Sequence, residues 1–342
     1  MINITIIGLG PLGTSIGFAL KKYCNNLGSI IGYDLSNKNQ DYAKKNQAID
    51  KTEWNIKNAV SESDLIFICV PTGRVYEVLN DISDATKSGA IICDTSNAKR
   101  ACINWVDKLF KNNESYIGIN PLTTASLKTQ NDSSPDAFYG AKCAVILGTK
   151  ANKDSIEIIT NIIESFGSNL LFMDPDEHDS FAVATSTLPS IIASAMINAV
   201  SESPAWPEIS NFVGTNFDSS TISASFDPAS TQGAALVNPD LLIHWIDQVQ
   251  AHLNHMKESL SDIDDRHSHE GRLADSLVNA WEQRLRLEIG VADKREEKYK
   301  REPLPTSSES MMGLFFGNKV ASAMTGKNEK QEDNNYDRRK LR

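Results

Sequence analysis

Three glycines near the N-terminus have a spacing that could bind phosphate. Gly8, Gly10 and Gly13 follow a β-branched run and precede a helical pattern. In a strand–turn–helix of this kind, the first glycine permits the tight turn, the second lets the backbone approach a pyrophosphate, and the third allows close helix–strand packing. Free N–H groups at the helix N-terminus attract the phosphates. The predicted dinucleotide-binding loop comprises Gly8, Leu9, Gly10, Pro11, Leu12 and Gly13.

An acidic residue stands where it could choose between two nicotinamide cofactors. Asp34 ends the second predicted strand, 21 residues after Gly13. A carboxylate there accepts hydrogen bonds from a ribose 2′-hydroxyl and repels a 2′-phosphate. The sequence therefore favours NAD, with NADP the less favoured cofactor. The alternative is a solvated aspartate at a strand end.

Three loops follow later predicted strands and could line the same crevice. They begin near residues 70, 94 and 120. The carboxyl ends of parallel strands meet at one edge of the sheet, so these loops are expected to converge beside the nicotinamide. Taken alone, each loop is also explained as an ordinary turn, because Ser, Thr, Asn and Pro are common turn-forming residues. The expected cofactor contacts are Val70, Pro71, Thr72 and Thr95.

The elements that position these loops are predicted from the hydrophobic pattern. Short apolar or β-branched runs alternate with helix-length connections, which is typical of a mostly parallel sheet with right-handed crossovers. The predicted strands are 4–8, 30–33, 65–70, 90–93, 116–119, 144–147 and 170–173. The fold class is therefore α/β: a doubly wound Rossmann domain over residues 1–173.

The pattern changes after Asp174-Pro175. Apolar residues recur at helical spacing, and Asn238-Pro239 is a typical N-cap and first residue of a helix. We predict an all-α domain over residues 174–292, followed by a polar, partly disordered tail over 293–342. An apolar patch at 311–316 in that tail is expected to dock on the body or on a partner subunit.

Composition and charge narrow the class of protein. The 342 residues carry a net charge of −10, which argues against a dedicated nucleic-acid binder. None of the apolar runs approaches the ~18–20 residues that span a bilayer. The spacing of the five cysteines is not that of metal ligands. An odd number of cysteines without a disulfide pattern is typical of a protein in a reducing compartment. We expect a soluble, cytoplasmic protein without a metal site.

Many short motifs, in order, resemble the prephenate/arogenate dehydrogenases of tyrosine biosynthesis. The matching segments are residues 8–17, 70–71, 94–99, 118–122, 138–141, 176–179, 186–189 and 203–206. The resemblance implies a 6-phosphogluconate dehydrogenase-like architecture, with the active site in a cleft between a Rossmann domain and a helical dimerisation domain. It also implies a homodimer and NAD(P)-dependent oxidative decarboxylation of prephenate or arogenate.

The sequence departs from the family pattern at four positions. Asn120 stands where the family has a catalytic histidine, and Thr187 replaces a second histidine. Asn97 takes the place of a serine, and Ile222 that of an arginine which holds a substrate carboxylate. An asparagine amide can hold a hydroxyl by a hydrogen bond but cannot accept a proton near neutral pH.

The family pattern implies a role for each candidate substrate-site residue. Asn120 would orient the substrate hydroxyl, with Asn97 and Thr187 as polar neighbours and Lys99 near a carboxylate. His178 lies at the hinge and has two open roles: a proton acceptor that faces the cleft, or a structural residue at the start of a helix.

Three hypotheses stay open at this point. The protein is a prephenate/arogenate dehydrogenase, a diverged dehydrogenase for a less charged hydroxy or imino substrate, or a catalytically silent NAD-binding protein. All three retain nucleotide binding.

Overall fold

Eight strands form one sheet in the part of the chain that the computed structural model describes, residues 1–123, 127, 129–261 and 266–290. The order is β3-β2-β1-β4-β5-β6-β7-β8, and only β6 and β7 pair antiparallel. The strands are β1 (Ile2–Ile7), β2 (Leu27–Tyr33), β3 (Lys51–Thr52), β4 (Leu65–Ile68), β5 (Ile91–Asp94), β6 (Ser115–Leu122), β7 (Lys142–Leu147) and β8 (Asn169–Phe172). This confirms the predicted mostly parallel, doubly wound sheet.

Helices connect the strands and then replace them after β8. They are α1 (Pro11–Tyr23), α2 (Asn37–Lys45), α3 (Ile56–Val60), α4 (Val75–Ile82), α5 (Lys99–Leu109), α6 (Lys153–Ser165), α7 (Pro175–Ala182), α8 (Leu188–Ser201), α9 (Trp206–Ile209), α10 (Thr215–Thr221), α11 (Pro228–Val237), α12 (Pro239–Ser261) and α13 (Arg266–Glu288). The predicted change to helical structure is confirmed: α7 starts at Pro175, and the Asp174 side chain caps it.

The core has two apolar layers because successive strand residues point to opposite sides of the sheet. In β4, Leu65 and Phe67 join one cluster, whereas Ile66 and Ile68 join the other. All four are fully buried. A continuous apolar strand is therefore what a sheet covered on both faces requires.

The predicted loop at residues 120–124 begins inside a strand, which corrects that expectation. β6 continues to Leu122 because antiparallel β7 pairs with it along this stretch, with Asn120 opposite Ala144. Pro121 is tolerated there because β5 ends at Asp94, which leaves β6 with one neighbour at this level. Residue 124 lies outside the described residues.

α7 and α8 belong to one helical run, Pro175–Ser201, with a π-helical segment at Val183–Thr187. Pro189 lacks an N–H, and a π-bulge is one way a helix accommodates such an interruption. By length and composition alone this run could cross a membrane, which the sequence analysis missed because it considered uninterrupted apolar residues and not mean hydropathy. Asp179 within it is fully buried and contacts α5, so we interpret the run as a helix packed on protein.

The described chain divides into two compact units, Met1–Ile246 and Asp247 onward. The first unit contains the sheet and helices α1 to α11. The second contains most of α12 and α13. The domain limits at 173/174 and 292/293 stay predictions, and the tail with its patch at 311–316 lies outside the described residues.

Candidate active site

The glycine loop has the geometry of a phosphate cradle. Gly8 has φ +91°, and a Cβ there would lie 2.6 Å from the Cys69 carbonyl oxygen. A Cβ on Gly13 would lie 1.9 Å from the Gly8 carbonyl oxygen. Gly10 instead faces open space, and α1 begins directly after it without a side-chain cap. The free N–H groups of α1 thus face a gap that can admit a pyrophosphate.

A cavity of about 400 Å³ lies beside this loop. The predicted cofactor residues in its walls are Gly8, Gly10, Asp34, Val70 and Pro71. The structure adds Asn39 on α2 and Glu77 and Asp81 on α4, which strand-end reasoning could not identify because they lie on helices. Arg74, which directly precedes α4, also lines the cavity. A cavity bounded by the glycine loop and Asp34 fits a dinucleotide.

Hydrogen bonds fix the Asp34 carboxylate. It accepts from the backbone N–H groups of Leu9 and Ser36, each at 2.7 Å, and from Asn39 Nδ2 at 3.3 Å. One carboxylate oxygen therefore already contacts the glycine loop. Leu9 itself is fully buried, so its backbone rather than its side chain contributes.

The remaining predicted cofactor residues lie around the neighbouring loop. The Thr72 hydroxyl accepts from the Asn97 N–H at 3.4 Å, and the Thr95 hydroxyl donates to the Ile68 carbonyl at 3.3 Å. Both threonines thus join the β4 and β5 ends to each other. Leu12 lies in the first turn of α1 and packs on the core.

A second polar cluster surrounds Asn120. Asn120 Nδ2 lies 3.0 Å from Asn97 Oδ1 and 3.0 Å from His178 Nε2. Asn97 Nδ2 donates to Ser186 Oγ at 3.2 Å. The three predicted residues Asn97, Asn120 and His178 therefore meet, although 58 residues separate the last two. Ser186 joins them from the π-helical segment, while the predicted Thr187 is buried beside it.

The hydrogen bonds assign the tautomer of His178. Asn120 Nδ2 is a donor, so Nε2 accepts and Nδ1 carries the proton. Nδ1 lies 2.8 Å from Asp179 Oδ1, which is acceptor-only when ionised. The imidazole is 3% exposed, and its basic nitrogen faces the amide pair. A carboxylate behind an imidazole in this way orients it as a proton acceptor.

Lys99 does not face this cluster, contrary to the role that the family pattern implied. Its side chain is fully buried, and Nζ lies 2.8 Å from Asp94 Oδ2 and 3.0 Å from the Asp94 carbonyl. The Tyr116 hydroxyl donates to the other Asp94 oxygen. Burial and the Asp94 charge raise the pKa of Tyr116 well above its usual range. Lys99 therefore neutralises an interior carboxylate.

Arg100, the next cationic residue along α5, also forms an ion pair. Arg100 Nη2 lies 2.8 and 3.0 Å from the two Asp240 oxygens and 3.2 Å from Asn238 Oδ1. The Arg100 hydrogen bond lowers the pKa of Asp240. Neither of the first two cations of α5 is therefore directed at Asn120.

The described residues hold no group of three or more His, Cys, Asp or Glu side chains arranged for a metal ion. All five cysteines are unpaired. Burial raises the pKa of Cys69, which lines the dinucleotide cavity, to about 12. A thiol with that pKa is a poor nucleophile at neutral pH.

Comparison with known sequences identifies relatives over most of the chain. The cyclohexadienyl dehydrogenase of Zymomonas mobilis is 29% identical over 269 residues, which cover 77% of this chain and 89% of that protein. The prephenate dehydrogenase of Bacillus subtilis is 25% identical over 249 residues, which cover 72% of this chain and 67% of that protein.

Comparison with solved structures shows the same fold. Prephenate dehydrogenase from Aquifex aeolicus, in complex with hydroxyphenyl propionate and NAD+, has a TM-score of 0.74 at 22% identity, with 84% of this chain and 98% of that chain covered. The Synechocystis arogenate dehydrogenase has a TM-score of 0.67 at 18% identity, with 84% and 100% covered.

Two family models match consecutive parts of the sequence. The nucleotide-binding domain of prephenate dehydrogenase matches residues 16–172, and the dimerization domain matches residues 174–275. Together they cover well over half of the chain, and the first contains strands β2 to β8 of the sheet. The chain therefore belongs to the prephenate dehydrogenase family of oxidoreductases.

Proposed function

We propose that this protein is an NAD-dependent dehydrogenase that oxidises a cyclohexadienyl substrate of the prephenate or arogenate type. Family membership supports the reaction class, and the glycine cradle with Asp34 supports NAD. The observation that carries the proposal is the contact of His178 Nε2 with Asn120, with Asp179 behind the ring. It provides the proton acceptor that Asn120 itself cannot be.

The residues divide the work as follows. His178 Nε2 takes the proton of the substrate hydroxyl, which displaces the Asn120 amide from that nitrogen. The O–H electron pair becomes the C=O bond as hydride leaves the same carbon. Asn120 and Asn97 orient the oxygen. When the ring carboxylate leaves as carbon dioxide, its bonding pair enters the ring and the C=O pair returns to oxygen. The resulting phenolate takes back the proton from His178, which completes the aromatic ring. Bound NAD supplies the hydride acceptor.

The ion pairs of the two cations at the start of α5 favour a second candidate function. Lys99 pairs with Asp94 and Arg100 with Asp240, and Ile222 stands at the position of the family arginine. Among the described residues around Asn120, the polar groups are thus mostly neutral amides and hydroxyls. Such a pocket suits a less charged hydroxy or imino substrate on the same scaffold.

We also propose a cytoplasmic homodimer formed through the helical domain. The dimerization-domain match supports it, as does the α7–α8 run, in which an apolar window of 18 residues is only 28% buried. Met196 on α8 is 37% exposed. Separately, Trp281 on α13 is 65% exposed. Light scattering at micromolar concentration should give a dimer mass, and a monomer mass would contradict the assembly.

A nicotinamide absorbance assay on the purified protein tests the function. NAD is supplied with prephenate and, in a separate reaction, with arogenate, while calorimetry measures NAD binding. Turnover of either compound supports the first candidate. NAD binding without turnover of either would overturn it and direct the search to less charged substrates or to a silent NAD-binding role. Absence of NAD binding would contradict both candidates.

A further inference from the structure

One buried carboxylate joins the candidate proton acceptor to two other segments of the chain. Asp179 is fully buried. Its Oδ1 accepts from the Lys99 N–H at 2.7 Å and lies 2.8 Å from His178 Nδ1. Its Oδ2 accepts from the Arg100 N–H at 3.1 Å and from Asn238 Nδ2 at 3.1 Å. Four donors therefore surround this carboxylate.

The position of Asp179 is explained by the start of α5. Ala98 stands at the N-cap of that helix and has no side chain that can accept its free N–H groups. Asp179 does so from α7 and places its negative charge at the positive end of the helix dipole. Since buried carboxylates are costly unless hydrogen-bonded, this arrangement makes an ionised Asp179 tolerable.

The same carboxylate has a chemical consequence for His178. An ionised aspartate only accepts, so the imidazole must present Nδ1–H to it and leave the Nε2 lone pair toward Asn120. The carboxylate also stabilises the imidazolium that forms when Nε2 takes a proton. Because α5 holds the carboxylate, the ring is held relative to the loop that carries Asn97.

We propose that Asp179 is a positioning residue for proton transfer, which fixes the His178 tautomer and couples the ring to the N-terminus of α5. This inference rests on the proposed role of His178. It assigns Asp179 a function in the reaction in addition to helix capping.

The first test needs no variant at Asp179. Nitrogen-15 NMR of the full-length protein labelled in its six histidines reports the tautomer of each ring, and His178→Gln identifies the relevant signals. At neutral pH we expect His178 in the Nδ1–H form. A dominant Nε2–H form would overturn the proposal, whether or not any Asp179 variant folds.

The second test substitutes Asp179→Asn, with Asp176→Asn as the matched control. The asparagine amide can donate to Nδ1 and so favours the Nε2–H tautomer, in which Nε2 cannot accept a proton. Asp176 lies on the same helix, is 70% exposed and contacts Arg100 at 3.4 Å, not His178.

We expect Asp179→Asn to lower kcat at least ~100-fold, with a changed tautomer signal and the KM for NAD within about threefold. The control should retain the wild-type tautomer and kcat. An Asp179→Asn protein with an unchanged tautomer and kcat within twofold would contradict the proposal. If wild-type protein turns over neither substrate, the proposed function fails, but the NMR measurement still decides the role of Asp179.

Discussion

The amide nitrogen of Asn120 lies 3.0 Å from Nε2 of His178. A strand residue of the nucleotide-binding domain thus caps the basic nitrogen of a residue on α7. Where the family pattern has a histidine on the strand, this chain has an amide on the strand and an imidazole opposite it. Segment 176–179 also resembles the family, so the strand histidine is replaced here while His178 remains, and we propose that His178 supplies the basic group.

Asn120→Ala should lower kcat about tenfold, because the oxygen of the substrate loses one orienting hydrogen bond of typical strength. His178 remains, so activity should not disappear. Asn80→Ala, at an exposed asparagine on α4, provides the control. Steady-state kinetics of both variants measure the effect. Equal kcat for wild type and Asn120→Ala would exclude an orienting role.

Lys99→Met should destabilise the protein by roughly 3–5 kcal/mol, because it leaves the buried Asp94 carboxylate without its cation. Lys87→Met removes an exposed pair with Asp64 and should change stability little. Urea unfolding followed by circular dichroism compares the two. If Lys99→Met is as stable as wild type, the interior ion pair is not structural, and a substrate role for Lys99 becomes viable again.

The fold was largely predictable from the sequence because its signals are local. The apolar run of β4 and the glycine turn can each be recognised from a few consecutive residues, and the structure confirms both. β3 was missed because Lys51–Thr52 is too short to show a pattern. The extension of β6 was missed because it depends on pairing with β7, which periodicity within one segment does not reveal.

The candidate site was only partly predictable, since its geometry depends on tertiary contacts. Asn97 and Asn120 were selected from the family resemblance, and strand-end reasoning predicted that the segments carrying them converge. The contact with His178 was not predictable, because only the packing of α7 on α5 brings that ring to the strand. The burial of Lys99 also escaped prediction: a lysine in a polar loop gives no sign that Asp94 lies directly beneath it.

Asp34→Ser should weaken NAD binding by about 10–100-fold, the effect of losing hydrogen bonds to a charged group. The preference for NAD over NADP should also decrease, because the substitution removes the charge that repels a 2′-phosphate. Asp41→Ser, an exposed aspartate on the nearby α2, is the control. Calorimetric titration with both dinucleotides measures the change. Unaltered NAD affinity would exclude Asp34 as the ribose ligand.

Cys69 should resist alkylation at pH 8 even though it lines the dinucleotide cavity. Its pKa of about 12 leaves a thiolate fraction on the order of 10⁻⁴ at that pH. Iodoacetamide labelling followed by peptide mass spectrometry should show Cys69 modified far more slowly than free cysteine in the same tube, and rapidly after unfolding in urea. Labelling of folded protein at the free-cysteine rate would contradict the raised pKa of the Cys69 thiol.

Asp240→Asn should cost less than about 1 kcal/mol at pH 7, since the pair with Arg100 is partly exposed. The hydrogen bond from Arg100 lowers the pKa of Asp240 in the folded state. The contribution of this pair is therefore complete above the unfolded-state pKa and disappears as pH falls through the folded-state value. Denaturation of both proteins at several pH values below 7 should show the difference begin to shrink near pH 4 and vanish once the pH is below the lowered pKa of Asp240. If the difference in free energy of unfolding grew as the pH fell, it would contradict a lowered pKa of Asp240 in the folded state.

The role of His178 as proton acceptor is tested most directly by comparing His178→Gln with wild type under NAD and the cyclohexadienyl substrate. Glutamine keeps hydrogen-bonding groups near Asn120 but cannot take a proton. We expect kcat to fall by about 10²–10⁴-fold while NAD affinity, measured by calorimetry, stays within about threefold. A His178→Gln protein with wild-type kcat would show that His178 is not the proton acceptor.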